Sequence, residues 1–184
     1  MECIEERVFS TLFIESWSTS KVLNIGNKIQ QEVPEFDGDP LTIPNNAPPE
    51  IPRLILRDKE EKLKLGLGLN QLIIENVKDS RNKVELSKNI ILQINNLIFN
   101  EFKWTVNRLA NVIIYKIITE KPTIKFIKDR YIQNNRLDSV VQLNLHWLRK
   151  LNFLNDTVNF WTRINTSEGY ENKEMKVIFD LNQI

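Results

Sequence analysis

The chain has 184 residues, 41% of them hydrophobic and 27% charged, with a formal net charge of +1. A chain of that length and balance buries a sizeable core, which excludes wholesale disorder, and its near-neutrality withholds the basic excess of a dedicated nucleic-acid binder. The single cysteine, Cys3, excludes an internal disulfide and a cysteine metal cluster and fits a reducing compartment.

The first residues carry Glu2, Glu5 and Glu6 where a signal peptide would carry basic residues. No stretch reaches the length of an apolar membrane span. A cytoplasmic protein without membrane contact is expected. Asn, Ile and Lys are common, as an AT-rich coding genome produces. The asparagines are scattered through apolar patterns and form no prion-like tract.

Val8 to Ile14 reads as the first strand, apolar on both faces. Ser18, Thr19 or Ser20 caps a helix whose Val22, Ile25, Ile29 and Val33 share a face, and Pro34 ends it. Residues 35–52 read as an irregular loop, from Asp37-Gly38-Asp39-Pro40 and the prolines Pro44, Pro48 and Pro49. Ile51 to Leu56 reads as a strand, and Asp58 to Glu61 as a turn. Lys62 to Leu69 alternates strictly, with Leu63, Leu65, Leu67 and Leu69 on one face and Lys62, Lys64, Gly66 and Gly68 on the other. Leu72 to Val77 completes a candidate antiparallel meander.

After a polar connection at 78–83, a helix is expected from Val84 to Asn100, burying Ile90, Ile91, Ile94, Leu97 and Ile98. Its β-branched residues lower its intrinsic propensity, so burial must hold it. Val106 to Ile118 reads as a central strand. Thr123 to Tyr131 reads as a short helix opened by Pro122. Leu137 to Leu148 fits strand and helix periodicities, and the alternation of Leu143, Leu145 and Trp147 favours strand. Val158 to Ile164 and Glu174 to Asn182 read as a closing hairpin through residues 166–172. The expected architecture is a single α+β domain over 1–184, strand-rich from 137 to 184. Its sheet is expected to be curved and largely antiparallel, with helices packed mainly on one face.

Several of these segments resemble a sporadically distributed, uncharacterised bacterial accessory protein family. The segments are Val8 to Ile14, Val33-Pro34-Glu35-Phe36, Arg53-Leu54-Ile55-Leu56, Arg108 to Tyr115 and Lys176 to Leu181. The resemblance implies an accessory protein without assigned chemistry, and so no catalytic residue. The chain departs from the family's pattern in lacking a second arginine near Tyr115.

The residues themselves assemble no chemistry. His146 is the only histidine, and Cys3 is expected at a mobile end, so zinc has no ligand set. Asp37, Asp39 and Glu50 are the candidates for a carboxylate magnesium site, and a polar loop explains them as well. No nucleophile elbow or Cys-His motif precedes His146. Gly66 and Gly68 sit inside a strand and match neither phosphate-binding fingerprint. A non-enzyme without metal or cofactor is expected.

Two binding surfaces compete. Gly66, Gly68, Trp147 and Trp161 are candidates for a protein interface or self-association. Such glycines more often mark close approach of a neighbouring backbone, and such tryptophans more often fill the rim of a core. Lys121, Lys125, Lys128, Arg130, Arg149 and Lys150 are candidates for nucleic-acid binding within the basic region 116–150, with Tyr131 and Trp147 interleaved. An ordinary solvated face explains the same charges. The leading expectation is an interaction module, an oligomer or a subunit of a larger complex. Nucleic-acid binding and an enzyme of unknown class are the alternatives.

Overall fold

A computed structural model describes residues 1–44, 46–76, 83–103, 106–131, 142–153, 156–169 and 171–183. The element order is β1 (Glu2–Ile14), α1 (Thr19–Glu32), β2 (Phe36–Pro40), β3 (Leu54–Asp58), β4 (Leu63–Leu67), β5 (Gln71–Asn76), α2 (Lys83–Phe102), β6 (Val106–Ile118), α3 (Thr123–Tyr131), β7 (Asn144–Phe153), β8 (Asp156–Thr166) and β9 (Glu174–Gln183). The chain divides into two compact units, Arg7–Asn111 with Gln183, and Met1–Glu6 with Val112–Asn182. Strands β1 and β6 each contribute residues to both.

In the unit built on Arg7–Asn111 the strand order is β2-β3-β4-β5-β1-β6. The register pairs Leu54 with Leu67, Leu67 with Leu72 and Leu72 with Leu12, all antiparallel. This is the expected meander, and it sets one apolar row across the sheet. Leu12, Leu54, Leu56, Leu63, Leu65, Leu67, Leu72 and Ile74 from that row form a single core with Val22, Ile25 and Ile29 of α1 and Ile94 of α2. Side chains two apart share a strand face, whereas those three and four apart share a helix face, so the two periodicities meet in one cluster.

Ser18 is the N-cap of α1, and its Oγ accepts a hydrogen bond from the Lys21 N–H at 3.3 Å. The Val33 N–H closes the last turn on the Ile29 carbonyl, and Pro34 follows. In α2, Ile94 is fully buried, while Leu86, Ile90, Ile91 and Leu97 pack against the core half-covered. The side chain of Ile98 lies outside the described residues. On the far side of β1, Ser10 Oγ donates to Asn111 Oδ1 at 2.6 Å, and the Arg108 guanidinium lies 3.8 Å over the Phe13 ring.

The structure corrects several boundaries. β1 begins at Glu2, six residues before the expected Val8, so Cys3 is an exposed strand residue and no mobile end. Residues Glu2 to Arg7 bury little and therefore carry no alternation. The expected loop 35–52 contains strand β2, paired from Phe36↔Asp58 to Pro40↔Leu54. Its Asp-Gly-Asp-Pro sequence mimics a turn because β2 is an edge strand, where acids and a terminal proline are tolerated. A Cβ at Gly38 would collide with the Ile55 carbonyl, so this pairing needs glycine. The strand expected from Ile51 starts at Leu54, and the one expected from Lys62 to Leu69 is confined to Leu63–Leu67.

The other unit has the strand order β1-β6-β9-β8-β7. Its buried apolar side chains include Ile124 and Ile127 of α3, Val158 of β8, and Met175 and Val177 of β9. The start of α3 is tied to the turn between β8 and β9. Thr123 donates to the Asn172 carbonyl through its N–H at 2.8 Å and its hydroxyl at 3.0 Å, and the Thr119 hydroxyl donates to the Lys121 and Lys173 carbonyls. Tyr115 and Phe160 both contact the Phe179 ring, edge-on and stacked respectively. β9 and β8 are neighbours, as the expected closing hairpin requires. β7 pairs antiparallel with β8 along its whole length, from Asn144↔Asn165 to Phe153↔Asp156. The strand expected at 137–148 therefore starts and ends later, and residues 137–141 lie outside the described residues.

Candidate interaction edge

β7 ends the strand order of its unit. Among the described residues, no strand pairs with its outer side. Every second N–H and C=O of an antiparallel strand points away from its neighbour, so among the described residues the outer row of donors and acceptors on β7 has no strand partner. Its side chains are open too, since Trp147, Leu148 and Leu151 are 37%, 40% and 41% exposed.

The register sorts these side chains by face. Leu145, Trp147, Arg149 and Leu151 lie opposite Ile164, Thr162, Phe160 and Val158. His146, Leu148 and Lys150 lie opposite Arg163, Trp161 and Asn159. Trp147 and Trp161 thus belong to opposite faces of the β7–β8 ribbon. Trp161 is half-buried beside exposed Leu148, and Arg163 holds Asp180 at 3.2 Å. Both faces of β7 combine an apolar side chain with a cation, which permits pairing with an extended partner by backbone and side chain together.

The two edges of the strand order differ in kind. β2 is short, carries Asp37 and Asp39, and ends at Pro40, which lacks an N–H. Those are devices that discourage strand addition. β7 is a continuous strand from Asn144 to Phe153 with neither proline nor glycine. Arg149 and Lys150 are the charged side chains it carries against strand addition.

The other expected interface residues are covered. Gly66 and Gly68 are buried, with Pro52 over Gly66 and the Pro49 and Glu50 carbonyls over Gly68. A Cβ at Gly68 would stand 2.9 Å from the Pro49 carbonyl oxygen. The bare strand face therefore holds a segment of this chain and presents no groove. That segment is fastened by Arg53, itself only 4% exposed, whose guanidinium donates to the Ala47 carbonyl at 3.0 Å and the Ile51 carbonyl at 3.3 Å. Nothing in sequence spacing pointed to Arg53; a lone arginine between a proline and an apolar strand was the available signal.

The six expected nucleic-acid residues are divided between α3 and β7, with Lys128 half-buried on α3. Lys121, Lys125 and Arg130 are exposed on or just before α3, with exposed Glu120 and Asp129 among them. The Arg130 guanidinium lies 4.9 Å over the Phe126 ring. Arg149 and Lys150 are adjacent in β7 and so point to opposite faces. Lys116, where the basic region begins, is 2.9 Å from Glu174, whose hydrogen bond first and negative charge second raise the ammonium pKa above its ordinary value. The side chain of Tyr131 lies outside the described residues.

A hollow of about 270 Å³ lies beside α3, lined by Thr119, Glu120, Lys121, Phe126, Asp129 and Arg130 together with Met1. Another, of about 500 Å³, is lined by Asp37, Asp39, Arg57, Asp58 and Glu61. Among the described residues, no three His, Cys, Asp or Glu side chains come together to hold a metal ion. His146 stands exposed on β7, cross-strand from Arg163. Among the described residues, no helix is long and apolar enough to cross a membrane.

No family model and no curated protein matches the chain. Among solved structures it is similar to Methanococcus jannaschii TBP at 12% identity and a TM-score of 0.39, over 97% of this chain and 87% of that one.

Proposed function

We propose that this protein is an interaction module that accepts an extended strand at the outer edge of β7. The supporting observation is the combination found there: an edge strand continuous from Asn144 to Phe153, with Trp147, Leu148 and Leu151 exposed. Strand addition supplies backbone hydrogen bonds for affinity and alternate side-chain contacts for selectivity. The resemblance to an accessory family without assigned chemistry fits a protein that works by contact. Helices set on one face of a curved sheet would leave its edges free for that task.

The test is binding of a labelled synthetic peptide with the sequence of residues 144–153, read by fluorescence anisotropy. Saturable binding is expected, weakened by Trp147→Lys and unchanged by Lys125→Glu on α3. No saturable binding, or binding that responds only to Lys125→Glu, would overturn the reading. The latter result would favour a cationic surface on α3, which salt-dependent retention of nucleic acid would then report.

A further inference from the structure

The sequence of β7 carries a second regularity. Read outward from Leu148, it is close to a palindrome: Leu145 and Leu151 are equidistant from it, as are Asn144 and Asn152, and Trp147 and Arg149 flank it directly. An antiparallel strand related by a two-fold axis through Leu148 reads the same residues in reverse. We propose that the strand accepted at this edge is β7 of a second copy of the chain, paired about an axis at Leu148. This rests on the strand-accepting role of β7 and names its partner.

The pairing follows from strand geometry. A two-fold normal to a continuous sheet keeps each side chain on its own face and must pass through a residue opposite itself. With the axis at Leu148, Asn144 to Asn152 all find a partner. Leu145 meets Leu151 of the second copy, an apolar pair. Trp147 meets Arg149 of the second copy, a guanidinium beside an indole. Asn144 meets Asn152, and Lys150 meets His146. The apolar and cation–aromatic pairs recur on the other side of the axis, so each is formed twice.

Neighbouring registers are worse for stated reasons. An axis at Arg149 sets two guanidinium groups opposite each other, and one at Lys150 does the same with two ammonium groups. An axis at Trp147 carries Leu151 and Asn152 beyond the start of the partner strand, so less of β7 is paired. Arg149 and Lys150 thus select a register, which is how charges on an edge specify one pairing against others. Exposed Leu148 and half-buried Trp161 continue the apolar surface onto β8 on the opposite face.

Cysteine cross-linking reads the register. In a Cys3→Ser background, Leu148→Cys places two thiols at a self-opposed position, within disulfide reach. Mild oxidation is expected to yield a covalent dimer at least about tenfold faster than Leu145→Cys alone, because antiparallel neighbours at unlike positions are too far apart. The Leu145→Cys, Leu151→Cys double variant is expected to cross-link as readily as Leu148→Cys. Equal rates for Leu148→Cys and Leu145→Cys would overturn the register. Sedimentation of the unmodified protein as a monomer at its highest soluble concentration would overturn the second copy as partner. If the 144–153 peptide still binds that monomer, the edge accepts a foreign strand. If it does not, the strand-accepting role fails as well.

Discussion

Replacing Arg53 with alanine is expected to destabilise the fold by about 3 kcal/mol, within the usual range for stripping a charged donor from buried acceptors. Arg53 is nearly fully buried and donates to carbonyls of residues 47 and 51, while its own backbone bridges Leu67 and Leu41. Its loss leaves those carbonyls without their donor and frees the segment lying over Gly66 and Gly68. Water then reaches the bare face of β4. Arg53→Lys keeps a charge but loses the fork that reaches two carbonyls, so it is expected to recover only part of the loss. Urea unfolding followed by circular dichroism measures both. A midpoint for Arg53→Ala equal to that of the unmodified chain would show that the segment is held by other means.

Leu148→Lys is expected to weaken self-association by about tenfold to a hundredfold while leaving the fold intact. The residue is 40% exposed, so folding stability should change by no more than about 0.5 kcal/mol. In the proposed pairing the same position lies opposite itself. Two ammonium groups about 5 Å apart repel by roughly 1 kcal/mol at the dielectric constant of water and about 3 kcal/mol at an effective value near 20. Lys150 adds a further positive charge on the same face. Added salt should restore part of the affinity, because these charges are solvent-facing. Sedimentation velocity across a dilution series, with and without salt, measures this. An association constant unchanged by the substitution would place the contact elsewhere.

What the sequence made legible follows from burial. Leu63, Leu65 and Leu67 alternate because one face of β4 lies on a core, β6 matches its expected bounds, and α3 starts as expected after Pro122. β2 and the first half of β1 were not legible, because they bury too little to leave a pattern. β2 in particular spends turn-forming residues on an edge strand. The end of β7 was misplaced for a related reason. Arg149 and Lys150 look like the end of an apolar run, yet a strand open on both faces tolerates them. The glycines of β4 drew attention as a bare surface, and the covering segment 49–52 could not be inferred from periodicity. The exposed edge position of Trp147 was not legible, because edge status depends on the strand order. The basic residues were close in sequence, but a helix and a strand distribute their side chains by different periods.

Amide hydrogen exchange along β7 tests the strand-accepting edge most directly. Amides that donate to β8 should be protected at every concentration. The alternate amides, which point outward, should exchange freely in dilute protein and become protected as concentration rises or as the 144–153 peptide is added. Outward amides that stay unprotected at high concentration and with peptide present would contradict the account. So would outward amides already protected at every dilution, since the edge would then be occupied within the single chain.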